Sequence, residues 1–174
     1  MKFDEIKRKL SLFTVGIAGA GGLGSNCAAA LVRTGIGKIV VADFDIVEER
    51  NLNRQFYFID QTGMKKVEAL KVNLKRIGSN TEIITHDITL THQNIPDTYA
   101  GCDIIVEAFD KSEMKEMLIE SVSKFLPGVP LVIGSGLAGW GGNNEIGSRK
   151  IDDCLYICGD ESHEVGDELP PLAP

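Results

Sequence analysis

Gly16-Ile17-Ala18-Gly19-Ala20-Gly21-Gly22-Leu23-Gly24-Ser25 decides how this chain folds. The apolar run Leu12-Phe13-Thr14-Val15 precedes it, and Asn26-Cys27-Ala28-Ala29-Ala30-Leu31-Val32 follows. That order reads as strand, glycine turn and helix. Within it, Gly19-Ala20-Gly21-Gly22-Leu23-Gly24 fits G-x-G-x-x-G. A tight strand-to-helix turn needs positive φ and no Cβ. The N–H groups at the helix start must also come close to a phosphate. The motif points to a nucleotide without naming the nucleotide or the reaction.

Working outward, residues 3–10 read as a short amphipathic helix and residues 12–18 as the first strand. The helix over 22–34 ends at Gly35, a suitable C-cap. Lys38-Ile39-Val40-Val41-Ala42-Asp43-Phe44-Asp45 carries an apolar run of the kind found in a parallel sheet covered on both faces. Asp43 closes it, at the spacing after the glycines where a ribose-binding acid is expected. The polar segment 48–57 predicts loop and one helical turn. A helix over 64–74, with Thr62 as its N-cap, places Val67, Leu70 and Leu74 on one face.

Further strands are expected over 81–87, 102–108 and 130–135. A short helix falls near Gln93, and a longer one covers 111–125. Asp110 stands just past a strand end, where an N-cap role and a ligand role are compatible. A glycine-rich piece, 136–147, leads to antiparallel strands near 146–150 and 155–158. The tail 159–174 is acidic and proline-rich and reads as flexible. Alternating strands and helices predict one α/β domain over 1–174. Its expected form is a Rossmann-like, doubly wound, mainly parallel sheet with helices on both faces and antiparallel strands near the C-terminus. Ligands in such sheets bind beyond the carboxyl ends of the strands. The glycine turn, Asp43 and Asp110 all fall there.

Composition agrees with a globular domain. The 174 residues are 43% hydrophobic and 25% charged. A net charge of −7 argues against a nucleic-acid partner. No apolar run reaches membrane-span length and no start resembles a signal peptide, so a cytoplasmic protein is expected. Cys27 and Cys102 read as core. Cys154 and Cys158 form a lone C-x-x-x-C, and with no second pair a zinc site is not expected. His86, His92 and His163 share no spacing and read as surface residues, and Arg33 reads as a helix-end cation.

The downstream polar residues choose between nucleotides. NAD would use the glycine turn and Asp43, but hydride transfer needs a substrate domain that this length does not hold. It also leaves Asn51, Arg54, Gln55, Lys66 and Asp110 without work. ATP held for attack at its α-phosphate gives work to Arg54, Lys66 and Asp110. Arg54 supplies a planar fork for phosphate oxygens. Lys66 supplies a point charge, although Lys65 competes by spacing. Asp110 is placed for Mg²⁺ and Asp43 for the ribose. No G-x-x-x-x-G-K-[ST] loop is present, which disfavours γ-phosphate chemistry.

These residues in this order resemble the ThiF/MoeB/HesA adenylyltransferases, bacterial relatives of ubiquitin-activating enzymes. The likeness rests on Gly19 to Ser25, Asp43-Phe44-Asp45, Asn51-Leu52-Asn53-Arg54-Gln55, Lys66-Val67-Glu68-Ala69 and Phe109-Asp110-Lys111, within roughly residues 12–150. The resemblance implies ATP-dependent adenylation of the C-terminal glycine carboxylate of a ThiS-like ubiquitin-fold sulfur carrier, with pyrophosphate released, in thiamine (thiazole) biosynthesis. It implies Gly19, Gly21, Gly22, Leu23 and Gly24 against the nucleotide, Asp43 on the ribose, and Asp45 beside it. Asn51, Arg54 and Lys66 become the phosphate contacts, with Gln55 lining the pocket and Asp110 on Mg²⁺. Arg54, Lys66 and Asp110 then carry the catalysis, and a homodimer is expected.

The chain also departs from the pattern. Longer relatives carry two C-x-x-C pairs for zinc, where this chain has only Cys154 and Cys158. Cys158 is the candidate for the later cysteine of sulfur or thioester chemistry, and Arg8 for the arginine that relatives place in the partner's ATP site. Relatives continue past Leu172-Ala173-Pro174, so the sequence reads as a partial version. Trp140 reads as a packing residue or a contact for the carrier's tail. Other acceptors, a molybdopterin-type carrier, a tRNA base or a peptide, remain open, as does a non-catalytic NAD- or ATP-binding module.

Overall fold

Ile39 and Val41 pack into one layer of the core, and Val40 and Ala42 into a second, with all four side chains at most 5% exposed. A strand buried on both faces has to lie inside a sheet with helices above and below. The structure is a computed structural model that describes residues 2–78, 80–135 and 146–159. The strands are β1 (Thr14–Ala18), β2 (Lys38–Asp43), β3 (Glu82–Asp87), β4 (Ile104–Glu107), β5 (Leu131–Ser135), β6 (Gly147–Lys150) and β7 (Leu155–Gly159). The helices are α1 (Phe3–Leu10), α2 (Gly22–Thr34), α3 (Lys66–Lys75), α4 (Ile95–Thr98) and α5 (Ser112–Phe125).

The sheet runs in the order β3-β2-β1-β4-β5-β7-β6. All its pairings are parallel except β6 with β7, which is antiparallel. The expected doubly wound fold is therefore present, together with its antiparallel pair near the C-terminus. One core layer joins Val15, Ile17, Ile39 and Val41 to Ala28 and Val32 of α2 and to Leu70 and Leu74 of α3. The other joins Val40, Ala42 and Ile105 to Ile95 and Tyr99 at α4 and to Leu118 and Val122 of α5. The strand order reverses at β1, which has β2 on one side and β4 on the other. That switch point puts the β1–α2 turn, the β2 end and the β4 end side by side.

Several local readings shift. Gly35 is the C-cap of α2, with φ +87°, as expected. Helix α3 starts at Lys66 with Lys65 as N-cap, so Thr62 is not the cap; its hydroxyl donates to the Ile59 carbonyl instead. Likewise Lys111, not Asp110, occupies the N-cap of α5. The short helix starts at Ile95 rather than near Gln93. Gly159 closes β7, so the tail begins no earlier than residue 160. Residues 160–174, Trp140 and His163 lie outside the described residues. No described helix is long and apolar enough to cross a membrane.

Candidate nucleotide site

The β1–α2 turn is built by contacts that only glycine allows. Gly19 sits at φ +105°, and a Cβ there would stand 2.6 Å from the Ala108 carbonyl oxygen. A Cβ on Gly24 would run into the carbonyl of Gly19 itself. Helix α2 is thus pressed onto its own entry loop. Gly21 is the N-cap and offers no side chain. The first intrahelical bond is donated by Ser25 to the Gly21 carbonyl, at 3.0 Å. Among the described residues, the N–H groups of Gly22, Leu23 and Gly24 find no backbone acceptor. Unpaired donors at the positive end of a helix form an anion cradle.

Asp43 ties that turn to the sheet. Its Oδ2 accepts from the Ala20 N–H at 2.6 Å and its Oδ1 from the Asp45 N–H at 2.7 Å. Burial raises its pKa, against the lowering effect of these two hydrogen bonds and of the Lys66 charge. Each carboxylate oxygen keeps a second lone pair, so hydroxyl donors are still accommodated. The buried Tyr57 hydroxyl donates to the Ala20 carbonyl at 2.7 Å and fixes the turn from the far side.

The segment after β2 folds back as a strap over the turn. A 3-10 turn, Glu49–Asn51, starts it, and the Asn51 carbonyl accepts from the N–H groups of Arg54 and Gln55. Two side chains from the first turn of α2 hold the strap. Asn26 Nδ2 donates to the Gly22 and Arg54 carbonyls, at 2.7 and 2.8 Å. Ser25 Oγ donates to the Gly21 carbonyl and accepts from the Phe56 N–H at 3.0 Å. The Arg54 stem therefore crosses Gly22, where a Cβ would meet its Cγ and Cδ at 3.7 Å. The Arg54 Nη1 donates to Asn53 Oδ1 at 3.1 Å. The Gln55 amide faces Gly21 and is only 7% exposed, and its Oε1 has no hydrogen-bond partner among the described residues.

The two neighbouring lysines part company. Lys66 is 5% exposed, with its Nζ 2.8 Å from Asp45 Oδ2. Lys65 instead donates to the Phe44 carbonyl and pairs with Asp87 at 3.2 Å, on the outer side of β2. Only Lys66 joins the group around Asp43. Asp110 follows the β4 end, exposed and with no partner among the described residues. Mg²⁺ is held by one or two carboxylates together with substrate phosphates. A single open carboxylate beside an anion cradle fits Mg²⁺ carried in on a nucleotide. Among the described residues, no group of three or more His, Cys, Asp or Glu could hold a metal.

The turn, Asp43, Asp45, Arg54, Gln55 and Lys66 are thus brought together. Asn51 joins through its backbone, and Asp110 touches none of them. Arg8 lies on α1, which buries no residue. Cys102 is buried and its thiol is pushed up to about 11, while Cys27 is half-buried and raised by the same desolvation. Sequence reading missed Ser25, Asn26, Tyr57, Glu107 and Lys115. Glu107 had left a sign, a charge closing the apolar run Ile104-Ile105-Val106.

A doubly wound sheet with a glycine cradle at its switch point, an acid closing the next strand and cations above it defines a nucleotide-binding α/β domain. The chain belongs to the ThiF family, whose model matches residues 3–157. It is 39% identical over 130 residues to the adenylyltransferase and sulfurtransferase MOCS3 of Aedes aegypti, covering 74% of this chain and 29% of that protein. It is 38% identical over 100 residues to ubiquitin-like modifier-activating enzyme 5 of Caenorhabditis elegans, covering 58% of this chain and 23% of that protein. The chain thus spans about a quarter of the length of these curated relatives. The fold is also that of the E. coli tRNA N6-threonylcarbamoyladenosine dehydratase TcdA, solved in complex with ATP. The two superpose with a TM-score of 0.85 at 22% identity, over 97% of this chain and 81% of that one.

Proposed function

We propose that this domain adenylates a carboxylate with ATP, and that its substrate is the C-terminal glycine of a ThiS-like ubiquitin-fold sulfur carrier in thiazole biosynthesis. The observation that carries the proposal is Arg54 laid across Gly22 at the unpaired N-terminus of α2, with Lys66 buried beside Asp45. That set suits a triphosphate more than the single pyrophosphate bridge of NAD. Kinship with an adenylyltransferase and sulfurtransferase and with an enzyme that activates a ubiquitin-like modifier supports adenylation of a ubiquitin-fold protein.

In this reading the glycine turn takes phosphate oxygens on backbone N–H groups. Asp43 takes the ribose hydroxyls with its remaining lone pairs. Arg54 and Lys66 offset charge on the pyrophosphate as it leaves, and Asn51 and Gln55 border the same phosphates. Asp110 holds Mg²⁺, which supplies further charge neutralisation there. A carboxylate oxygen of the carrier attacks the α-phosphorus, the bond to the bridging oxygen breaks, and that oxygen leaves with its electron pair on pyrophosphate. A C-terminal carboxyl titrates at about 3.5 and is already ionised at neutral pH, so no general base is required. Positioning and charge stabilisation do the work.

Isotope exchange between pyrophosphate and ATP tests this. Exchange is expected only when a ThiS-like carrier ending in Gly-Gly is present, and Arg54→Ala is expected to abolish it in a folded protein. Exchange without a carrier, or with a tRNA or peptide carboxylate in its place, would reassign the acceptor. Binding of NAD but not ATP would overturn the adenylyltransferase reading altogether.

A further inference from the structure

Glu107 is a charged residue in the core. It closes β4 at 1% exposure, level with Ala18 of β1 and one residue before Ala108, whose carbonyl props up Gly19. Taking a carboxylate out of water costs several kcal/mol unless it is fully partnered. Glu107 is fully partnered. Lys115 Nζ donates to both its oxygens, at 3.0 and 2.8 Å. The Phe109 N–H donates to Oε1 at 2.5 Å. The same Lys115 ammonium donates to the Gly134 carbonyl at 3.1 Å. Burial still raises the Glu107 pKa against all of these.

Stability does not account for this arrangement. Buried ion pairs are often replaceable by well-packed apolar residues at little or no cost, and in some proteins what they add is geometric definition. Here the definition falls on one place. Three segments meet on the pair: the turn Phe109-Asp110, the first turns of α5 through Lys115, and the end of β5 at Gly134. Asp110 lies between Phe109, whose N–H is bound to Glu107, and Lys111, the N-cap of the helix that carries Lys115. Its own carboxylate has no partner among the described residues, so the backbone around it sets its direction.

We propose that Glu107 and Lys115 are a positioning pair that sets Asp110 for the divalent cation arriving with ATP. This rests on the adenylyltransferase reading and on the place of Asp110 in it. Neither residue touches substrate. They act through the turn, as the outer shell of a metal site orients a ligand carboxylate.

The test is calorimetric binding of ATP in EDTA and in excess Mg²⁺, on the full chain. The ratio of the two dissociation constants measures the gain that the cation brings. The double variant Glu107→Gln with Lys115→Met leaves no charge unpaired and is checked for a cooperative thermal transition. It is expected to reduce the Mg²⁺ gain about tenfold, with affinity in EDTA unchanged within about twofold. Lys115→Arg is expected to keep the gain. Asp110→Asn is expected to lose it, and combining it with the double variant is expected to add nothing. Folded variants with the full gain would overturn the proposal, and so would equal weakening with and without Mg²⁺, the mark of a merely structural role. A wild-type chain that binds ATP without any Mg²⁺ gain would overturn the proposal and leave the fold's nucleotide site standing. A wild-type chain that binds no ATP would overturn the functional reading and this inference with it.

Discussion

The Nζ of Lys66 lies 2.8 Å from Oδ2 of Asp45, and its side chain is 7% exposed while that of Asp45 is 48% exposed. The lysine is anchored by its buried stem, and the carboxylate is the partner with room to move. Under the proposed function, a phosphate reaching this site is expected to exchange with Asp45 for the ammonium, with the lysine left where its buried stem holds it.

Lys66→Met is therefore expected to weaken ATP binding on the order of tenfold to a hundredfold, the range for losing a charge-assisted hydrogen bond. Lys65→Met is expected to leave it unchanged within about twofold, because that ammonium is engaged with Asp87 and the Phe44 carbonyl. Titration calorimetry on both variants decides the matter. Equal losses would show that the adjacent lysines share the phosphate.

The glycines divide in the same way between fold and site. Gly24→Ala drives a methyl into the Gly19 carbonyl, a backbone group that cannot swing aside. It is expected to cost about 3 kcal/mol or more in urea unfolding. Gly22→Ala meets only the Arg54 stem, at ordinary contact distance. It is expected to change stability by less than about 1 kcal/mol while weakening ATP binding through Arg54. A stable Gly24→Ala protein would refute the close packing of α2 on its entry loop.

This division explains what the sequence made legible. Strand and helix order followed from apolar runs and from glycine at positions 19, 24 and 35, because those choices are local. Type and spacing single out Asp43 and Arg54 as candidates. The straps that place them are not legible there, since Asn26 and Ser25 act through backbone carbonyls and N–H groups that carry no residue signature. Spacing alone does not separate Lys65 from Lys66; the family resemblance favours Lys66, and the start of helix α3 at Lys66 gives the two ammonium groups different partners. Asp110 and Thr62 both look like caps in sequence, and in each case the helix starts later, after a lysine.

Asp43 gives the domain a pH signature. Burial raises its folded-state pKa above the ordinary value. Between those two values the folded chain keeps a proton that the unfolded chain has released. The group's contribution is present below the ordinary value and is lost as pH rises through the folded one. Asp43→Asn removes this dependence. The stability of the wild type relative to the variant is therefore expected to fall as pH rises through that window and to level off above it. Thermal unfolding across mildly acidic to neutral pH measures this, and a difference that grows with pH would contradict the burial of Asp43. Glu107 titrates with the same sign, so the comparison is made against the variant rather than read from the wild type alone.

Gln55 shows where stability and binding part. Its Oε1 is buried with no hydrogen-bond partner among the described residues, a deficit worth about 1–3 kcal/mol. Phosphate oxygens cannot satisfy an acceptor. A ribose hydroxyl, a water on the cation or a peptide N–H of the incoming carboxylate can. Under the proposed function, the side chain is expected to find its missing donor only in the occupied site. Gln55→Met keeps the length of the side chain and removes the orphaned acceptor. It is expected to raise the ligand-free unfolding free energy by about 1 kcal/mol. It is also expected to shrink the stabilisation that saturating Mg-ATP confers on the protein, since bound ligand stabilises in proportion to its affinity. Thermal unfolding with and without Mg-ATP reads both effects from one pair of curves. A variant less stable than wild type when empty would mean that the Gln55 amide is satisfied in the free protein, and a full ATP-induced shift would mean that it meets no ligand.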